Sequence, residues 1–292
     1  MSASKEGQDS AARTVMTERK AKLRTVPPAV FVAMLWLGLV LIVAIAASLI
    51  APYSYTALDL ANRLASPLHQ QHWLGTDELG RDILSRLIFS VRISLLVAFG
   101  ATLISACFGT VMGFVAAYFR GGVEHAILML ADFQAAIPFL ILSLSVLAFL
   151  GNSLPLFIGL MGLYGWERYA RISRGLAISA SVQGYASAVR QTGAGPLRVY
   201  LRHILPNISS TLIVSMTLTF PEVILMESSL SFLGLGVQPP MTSLGNMVGY
   251  GREYMTRAPW IMLSPAMLIV VTTLSVSLVG DWLRDRLDAD LK

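Results

Sequence analysis

The sequence predicts an all-α polytopic membrane protein with six transmembrane helices. Hydrophobic residues make up 55% of the 292 residues, charged residues make up 13%, and the mean hydropathy is +0.65. Soluble domains carry about 25% charged residues. Six apolar stretches approach the length of about 20 residues that a helix needs to cross a bilayer. The sequence lacks the short alternating segments of a transmembrane barrel, so helices are the expected spanning elements.

The six stretches follow a basic amino-terminal tail. The first is 23 residues long, which exceeds the apolar region of a typical signal peptide, and further spans follow it. We therefore expect an uncleaved first helix. The fourth stretch is short and is expected to extend into the next segment. We place the spans at residues 29–51, 93–118, 126–150, 154–166, 210–235 and 260–280.

The distribution of Lys and Arg predicts the orientation, because positive charge is retained on the cytoplasmic side of a membrane. With the amino terminus inside, sixteen of the 22 basic residues lie in cytoplasmic segments and six lie outside. Both termini and the 167–208 connection are therefore predicted to be cytoplasmic. The isoelectric point near 9.5 then reflects topology and attraction to anionic membrane lipid, and it requires no nucleic acid.

Catalytic and metal-binding motifs are lacking in the sequence. A phosphate-binding loop needs a glycine-rich run followed by Lys and then Ser or Thr. All four lysines lie in the terminal tails, so we expect no ATPase of that type in this chain. Cys107 is the single cysteine, and the four histidines form no metalloprotease or Ser/His/Asp pattern. We expect no catalytic residue, no metal site and no cofactor in the chain itself.

The polar stretch from Tyr185 to Pro206 is the most informative part of the chain. The spacing predicts a short helix, because residues three or four apart share one helix face. Four residues would form that face: Tyr185, Ala188, Val189 and Thr192. Gly193, which we expect at positive φ, ends that helix together with Gly195 and Pro196, and Pro206 is expected to act as a stop. Such an element either docks a partner or lies on the lipid interface. Spacing alone leaves both interpretations open.

The same stretch resembles the EAA loop of ABC importer permeases. In that loop a Glu-Ala-Ala triplet, a following glycine and a later I-x-L-P run shape the coupling helix. Ser187 stands here at the usual Glu, Val189 stands at the second Ala, and residues 203–206 form the closing run. The resemblance implies that these residues couple the chain to an ATPase: Tyr185, Ser187, Ala188, Val189, Arg190, Gly193, Leu205 and Pro206.

Two further segments and the carboxy-terminal tail look like the second permease subunit of dipeptide, oligopeptide and nickel ABC importers. They are HWLGTDELGRDILSRLIFSVRISL (72–95), ESSLSFLGLGVQPPMTSLGNMV (227–248) and GDWLRDRLDADL (280–291), the last with Ala289 where proline is usual. The resemblance implies a MetI-like permease fold. It assigns residues 1–28 to a basic tail and 29–292 to a permease domain, with a core at 93–280 and a coupling loop at 167–208.

The resemblance also implies a function and a set of partners. The chain would form half of a translocation pore for di- or oligopeptides in the bacterial inner membrane. Its implied partners are a second homologous permease subunit, two ATP-binding-cassette ATPase subunits and an extracytoplasmic substrate-binding protein. ATP and Mg would be bound by the ATPase subunits. Closure of those subunits would press on the coupling loop and rock the helices.

Three acidic residues lie within the predicted spans, where an ionised side chain needs a cavity or a partner. Asp132 and Glu227 match acidic positions of the family pattern, whereas Glu222, beside Pro221, does not. All three are candidates for lining the translocation path. For Asp132 and Glu227 the favoured role is structural pairing. For Glu222 the role considered is attraction of a peptide amino group. The family has an arginine before Asp132, where this chain has Met129.

Two outside segments and one small-residue face complete the predictions. The Gly- and Asp-rich run 72–82 predicts a turn before an amphipathic stretch, Ile83–Ile88, that rests on the membrane surface. Pro-rich residues 238–260 predict an irregular lobe. Each segment is either structural or a contact of the delivery protein. Gly109 and Gly113 share one helix face and predict close helix packing.

Other function classes remain open at this stage. The same importer type would also serve nickel or another small solute. An ion-coupled secondary transporter would use intramembrane carboxylates, for which Asp132 and Glu222 are available. A membrane scaffold would use the polar loop only to recruit a partner. The loop motif and the lack of an obvious inverted repeat favour the ABC permease.

Overall fold

The computed structural model describes residues 26–69, 72–183 and 193–290. These residues form helices and connecting loops, and their only β pairing is two isolated bridges. The helices in chain order are α1 (Pro28–Ile45), α2 (Ala47–Ile50), α3 (Ile83–Phe119), α4 (Gly121–Ala136), α5 (Phe139–Leu150), α6 (Leu154–Gly162), α7 (Trp166–Ser181), α8 (Pro196–Val199), α9 (Leu205–Phe232), α10 (Leu244–Gly251) and α11 (Trp260–Asp290). The all-helical prediction is confirmed.

Four of the described helical segments are long and apolar enough to cross a membrane. They are α1, α3, the continuous stretch Pro196–Phe232 that contains α8 and α9, and Trp260–Leu287 in α11. A fifth is obtained if α4 and α5 count as one span, although they meet at 89°. The predicted third and fourth spans therefore differ from the structure.

The predicted span 126–150 is broken at Pro138. Ile137 is extended, with ψ of 126°, and Pro138 begins the second helix. A proline disfavours helical conformation in the residue before it and has no N–H to donate back along the helix. The chain therefore turns sharply between α4 and α5, and a straight helix over 126–150 is wrong.

The predicted fourth span becomes a pair of helices separated by Gly165. That glycine has φ of +80° and precedes α7. Residues 167–181, assigned above to the polar loop, form most of α7. A search for apolar stretches does not detect this helix, because the helix carries four charged residues: Glu167, Arg168, Arg171 and Arg174.

Helix α3 is longer than predicted. Its 37 residues correspond to about 55 Å, well beyond a hydrocarbon layer of about 30 Å. Ile83, Leu87 and Ile88 are buried in it, so the predicted surface stretch Ile83–Ile88 is wrong. The stretch has an amphipathic pattern because one side of it faces a folded lobe. It does not lie on lipid.

That lobe is built from residues 51–69, 72–82 and 233–259, and one buried carboxylate binds several of its groups. Asp77 is fully buried and accepts backbone N–H groups of Leu79 and Arg81, each at 2.9 Å. It also pairs with the side chains of Arg81 and Arg86. Trp260 Nε1 donates to the Thr76 carbonyl over 3.2 Å and fixes the lobe to α11. We call this side of the molecule the lobe end and the side that carries Ser181 and Pro196 the loop end.

Helices α3 and α7 approach at backbone distance. An added methyl group at Gly109 would overlap Trp166 and Tyr169, and one at Gly113 would overlap Ser173 and the Ala170 carbonyl. Small residues let membrane helices come this close, so that dispersion forces act along the whole contact. The predicted packing role of Gly109 and Gly113 is confirmed.

We expect Gly113→Leu to destabilise the protein by about 1–3 kcal/mol or more, because the added side chain cannot be accommodated without separating α3 from α7. Thermal unfolding of the detergent-purified protein measures the loss. Gly159→Leu is the matched control, since nothing lies within 4 Å of a methyl group added there. Equal unfolding temperatures of the two variants would contradict the packing assignment.

Candidate functional site

The predicted coupling residues are only partly within the described structure. Tyr185, Ser187, Ala188, Val189 and Arg190 lie outside the described residues. Their flanks are described on both sides, at Ser181 and Val182 and again from Gly193 onward. The described part of the site consists of the elements that hold the two ends of this loop.

Gly193 opens the return segment. Its φ is +81°, the positive value expected from the sequence, and nothing lies within 4 Å of a methyl group added there. Gly195 has an ordinary extended conformation, with φ of −64°, and Pro196 begins α8. Proline is favoured in the first helical turn because its missing N–H would have no helical partner there.

The chain from α8 into α9 is anchored in a cluster at the loop end. Val199 and Ile204 are almost fully buried. Tyr200 stacks edge-on against Phe114 of α3, with ring centroids 5.1 Å apart. Ala177 of α7 belongs to the same cluster. Helices α3, α7 and α9 thus hold both ends of the loop in one packed unit.

Pro206 does not stop the helix, in contrast to the prediction. The chain stays helical from Pro196 to Phe232 through a π-helical turn at Tyr200–Ile204. Pro206 lies in the first turn of α9 and is exposed, and Leu205 is half-buried beside it. The wider π turn leaves room for the proline ring, since a proline inside regular α-helix clashes with the carbonyl four residues earlier.

Three arginines of α7, one every three residues, each pair with an acid on another helix. Arg168 Nη1 donates to Glu222 Oε1 of α9 over 3.1 Å. Arg171 Nη2 donates to Asp132 Oδ1 of α4 over 2.6 Å, and Arg174 pairs with Glu124 of α4. We call these three ion pairs the arginine ladder. The ladder connects α7 to α9 on one side and to α4 on the other.

Exposure varies along the ladder. The Arg174–Glu124 pair is the most enclosed, at 31% and 13% side-chain exposure. Arg168 and Glu222 are 46% and 40% exposed, and Asp132 is 72% exposed. Because α9 belongs to a segment long and apolar enough to cross a membrane, a charge as exposed as Glu222 has to face water or protein and not lipid.

Glu227 has a different environment from the other two candidates. Its side chain is fully buried. It accepts hydrogen bonds from Ser231 Oγ at 2.7 Å and from Ser94 Oγ of α3 at 3.3 Å. Ser94 Oγ in turn accepts the backbone N–H of Leu244, at the start of α10. We call this cluster the polar knot, and it joins α3, α9 and α10 near the lobe end.

Sequence reasoning missed the arginine ladder because it counted Arg168, Arg171 and Arg174 only as cytoplasmic charge. The signal was their spacing of three, which places side chains near one face of a helix. The absence of the arginine usual before Asp132 also pointed to a partner elsewhere in the chain. Arg171 supplies that partner from α7.

We expect Glu227→Ala to lower the free energy of unfolding by about 1–3 kcal/mol, because buried serine hydroxyls lose their acceptor. Glu227→Gln should cost less, since its one amide oxygen still accepts a hydrogen bond. Thermal unfolding in detergent compares the two. Glu253→Ala, at an exposed position, controls for loss of a carboxylate. A Glu227→Ala protein as stable as this control would contradict the assignment.

Comparison with known proteins gives the family. Residues 109–292 match the family of binding-protein-dependent transport system inner membrane components. The chain is 35% identical to the dipeptide transport system permease protein DppC of Alkalihalophilus pseudofirmus, over 86% of this chain and 83% of that protein. It is 39% identical to the di/tripeptide permease protein DppC of Pseudomonas aeruginosa, over 75% and 72%. The glutathione permease protein GsiD of Pectobacterium atrosepticum is 34% identical, over 88% and 86%.

A solved structure supports the fold independently. A chain of the MetNI methionine ABC transporter in inward-facing conformations superposes with a TM-score of 0.55 at 19% identity. The match covers 71% of this chain and 97% of that one. At this identity the likeness concerns the fold alone. With the family match over 109–292 and relatives at 34–39% identity over most of the chain, the protein belongs to the family of binding-protein-dependent transport system inner membrane components, as a membrane-embedded permease of an ABC importer.

Proposed function

We propose that this chain is the permease subunit of an importer for di- and oligopeptides. The curated relatives that are named for their substrates carry dipeptides, tripeptides, oligopeptides or glutathione, which is itself a short peptide. The observation that carries the proposal is that the described segments on either side of the predicted coupling residues, the end of α7 and the chain from Gly193 into α9, pack in one cluster with α3. A push received between these two segments would be passed to the membrane helices.

We propose the following assembly around the chain. It pairs with a second homologous permease subunit, and two ABC ATPase subunits, which bind ATP and Mg, dock on the loop end. An extracytoplasmic binding protein delivers substrate at the lobe end. Residues 1–28 form a cytoplasmic basic tail and 29–292 form the permease domain of a bacterial inner membrane protein, with both termini cytoplasmic. The excess of Lys and Arg in the segments assigned to the loop end supports this orientation.

The proposed mechanism uses the rigid connections of the described residues. ATP-driven closure moves the docked loop, and Gly193 fixes the direction in which the chain returns to the membrane. The packed cluster around Tyr200 passes the movement to α7 and α9 as one body. The arginine ladder then carries it from α7 to α4. Helix α9 ends in the polar knot, which ties the moving helices to the lobe.

Ion-coupled transport is disfavoured by the environment of the carboxylates. A coupling carboxylate has to exchange its ion, but Asp132 and Glu222 each already face an arginine guanidinium at 2.6 and 3.1 Å. A fixed cation at that distance competes with Na⁺ or H⁺ for the carboxylate. The assignment of Glu227 as a structural residue of the polar knot removes the third candidate.

ATP-dependent uptake of labelled dialanine tests the proposed function. The complete importer, with partner permease, ATPases and binding protein, is reconstituted in proteoliposomes, and unlabelled dipeptide and Ni²⁺ are added as competitors. We expect accumulation that requires ATP and the binding protein and that dipeptide blocks but Ni²⁺ does not. A transporter that takes up Ni²⁺ and not dialanine would overturn the peptide assignment.

We expect Gly193→Val to uncouple ATP hydrolysis from uptake, because a β-branched residue is strained at a φ of +81°. The change should preserve the membrane helices, since the position is open to solvent. Uptake per ATP hydrolysed is the measurement. Gly195→Val, two residues away at an ordinary extended φ, is the matched control and should couple normally. Equal coupling in both variants would contradict a role for the Gly193 turn.

A further inference from the structure

A groove of about 300 Å³ lies between α7, α9 and α11 at the loop end. Arg168 lies at its deep end and Arg284 near its mouth, and the walls between them include Ile172, Leu218 and Leu287. The position of Ser210 early in α9 and of Arg284 late in α11 places the mouth at the loop end. The groove therefore leads from the middle of the membrane core toward the side on which the proposed ATPases dock.

Glu222 lies beside this groove, hydrogen-bonded to Arg168, which lines it. It follows Leu218 by four residues on α9, and residues four apart lie on the same helix face. Its Oε1 accepts the hydrogen bond from Arg168 at 3.1 Å. From Ser210, which also lines the groove, to Glu222 the helix rises about 18 Å. An extended peptide of two residues spans about 7 Å and one of five residues about 17 Å, so short peptides fit this length.

The Arg168–Glu222 pair is built differently from a sealed structural pair. Both side chains are nearly half exposed, although Glu222 lies about 15 Å from the nearer end of α9. A charge at that depth requires a polar, water-accessible cavity. Within the groove such a pair presents a carboxylate and a guanidinium, separated by one hydrogen bond, above an apolar wall.

A short peptide with free termini offers the complementary chemistry. It carries an ammonium group at one end and a carboxylate at the other, and its side chains are on average partly apolar. Both charges have to be compensated when the peptide leaves water, which otherwise costs several kcal/mol per ion by general estimates of charge burial. If the ion pair opens, its carboxylate can bind the peptide ammonium group and its guanidinium can bind the peptide carboxylate. Both peptide charges are then compensated at once.

We propose that this groove is a peptide site of the permease, in which the Arg168–Glu222 pair opens to bind the two termini. The peptide ammonium group pairs with Glu222 at the deep end. The carboxylate is held bidentately by Arg168, with Arg284 near the mouth drawing longer peptides toward the loop end. The apolar wall formed by Ile172, Leu218 and Leu287 accepts peptide side chains without selecting among them.

The inference rests on the proposed function, and its test keeps the two apart. The complete importer in proteoliposomes is assayed with labelled dialanine, as wild type and as Glu222→Gln, Arg168→Gln and the double reversal Arg168→Glu/Glu222→Arg. Asp285→Asn and Arg286→Gln, at exposed positions of α11 outside the groove lining, remove the same charges and serve as matched controls. ATPase stimulation by the binding protein and thermal stability are measured on every variant.

We expect each single groove variant to lower uptake about tenfold, the effect of losing one charge-assisted hydrogen bond. ATPase stimulation and stability should stay at the level of the two controls, because ATPase docking does not use these side chains. The double reversal rebuilds an ion pair but places the cation at the deep end and the anion toward Arg284. It should therefore keep the stability of the controls without regaining uptake.

Three results would overturn the inference. Uptake by Glu222→Gln and Arg168→Gln equal to that of the controls shows that peptide does not use the pair. Full uptake by the double reversal shows that the two residues bind only each other, as a structural connection, and do not bind peptide. Failure of the wild-type importer to accumulate dialanine refutes the proposed peptide function, and the peptide site falls with it.

Discussion

Gly109 and Gly113 on one face of α3 let α7 lie against it at backbone distance, and the positions of the functional groups follow from that contact. A larger side chain at either glycine would push α7 outward by the width of a side chain. The arginines of α7 would then lose the acids on α4 and α9, to which they are joined at hydrogen-bond distance. Close packing of two helices therefore sets the geometry of every ion pair in the ladder.

The charges in turn constrain what can surround α7. A helix with three arginines does not belong among lipid tails, where each ionised group costs several kcal/mol. Each arginine is compensated by an acid from another helix, and the pairs at Arg168 and Arg171 are more exposed than the pair at Arg174. The helix therefore requires surroundings of water or protein groups along its charged side, and not lipid.

The sequence was sufficient for the helical class, the family and the positive φ of Gly193, because these depend on composition, motifs and local conformation. The predictions from the sequence were wrong at Pro138, which breaks a helix, and at Pro206, which lies in the first turn of one. The effect of a proline depends on the conformation of the neighbouring turn. Ile83–Ile88 was misassigned because a lobe formed by distant residues covers it. The arginine ladder could not be found from local pattern, since Glu222 lies 54 positions from Arg168.

Helix α9 shows how these constraints combine. Near the loop end it is fixed by the cluster around Tyr200, and at the lobe end by the polar knot of Glu227. Between them, Pro221 has no N–H to donate to the carbonyl of Thr217, so one backbone hydrogen bond is missing from the helix. Thr217 packs against Gly280 of α11, where an added methyl group would be crowded. The helix is therefore least stiff directly beside Glu222, between two fixed ends. A small bend of α9 at this turn would change the distance between the two charges of the Arg168–Glu222 pair, because Glu222 directly follows Pro221.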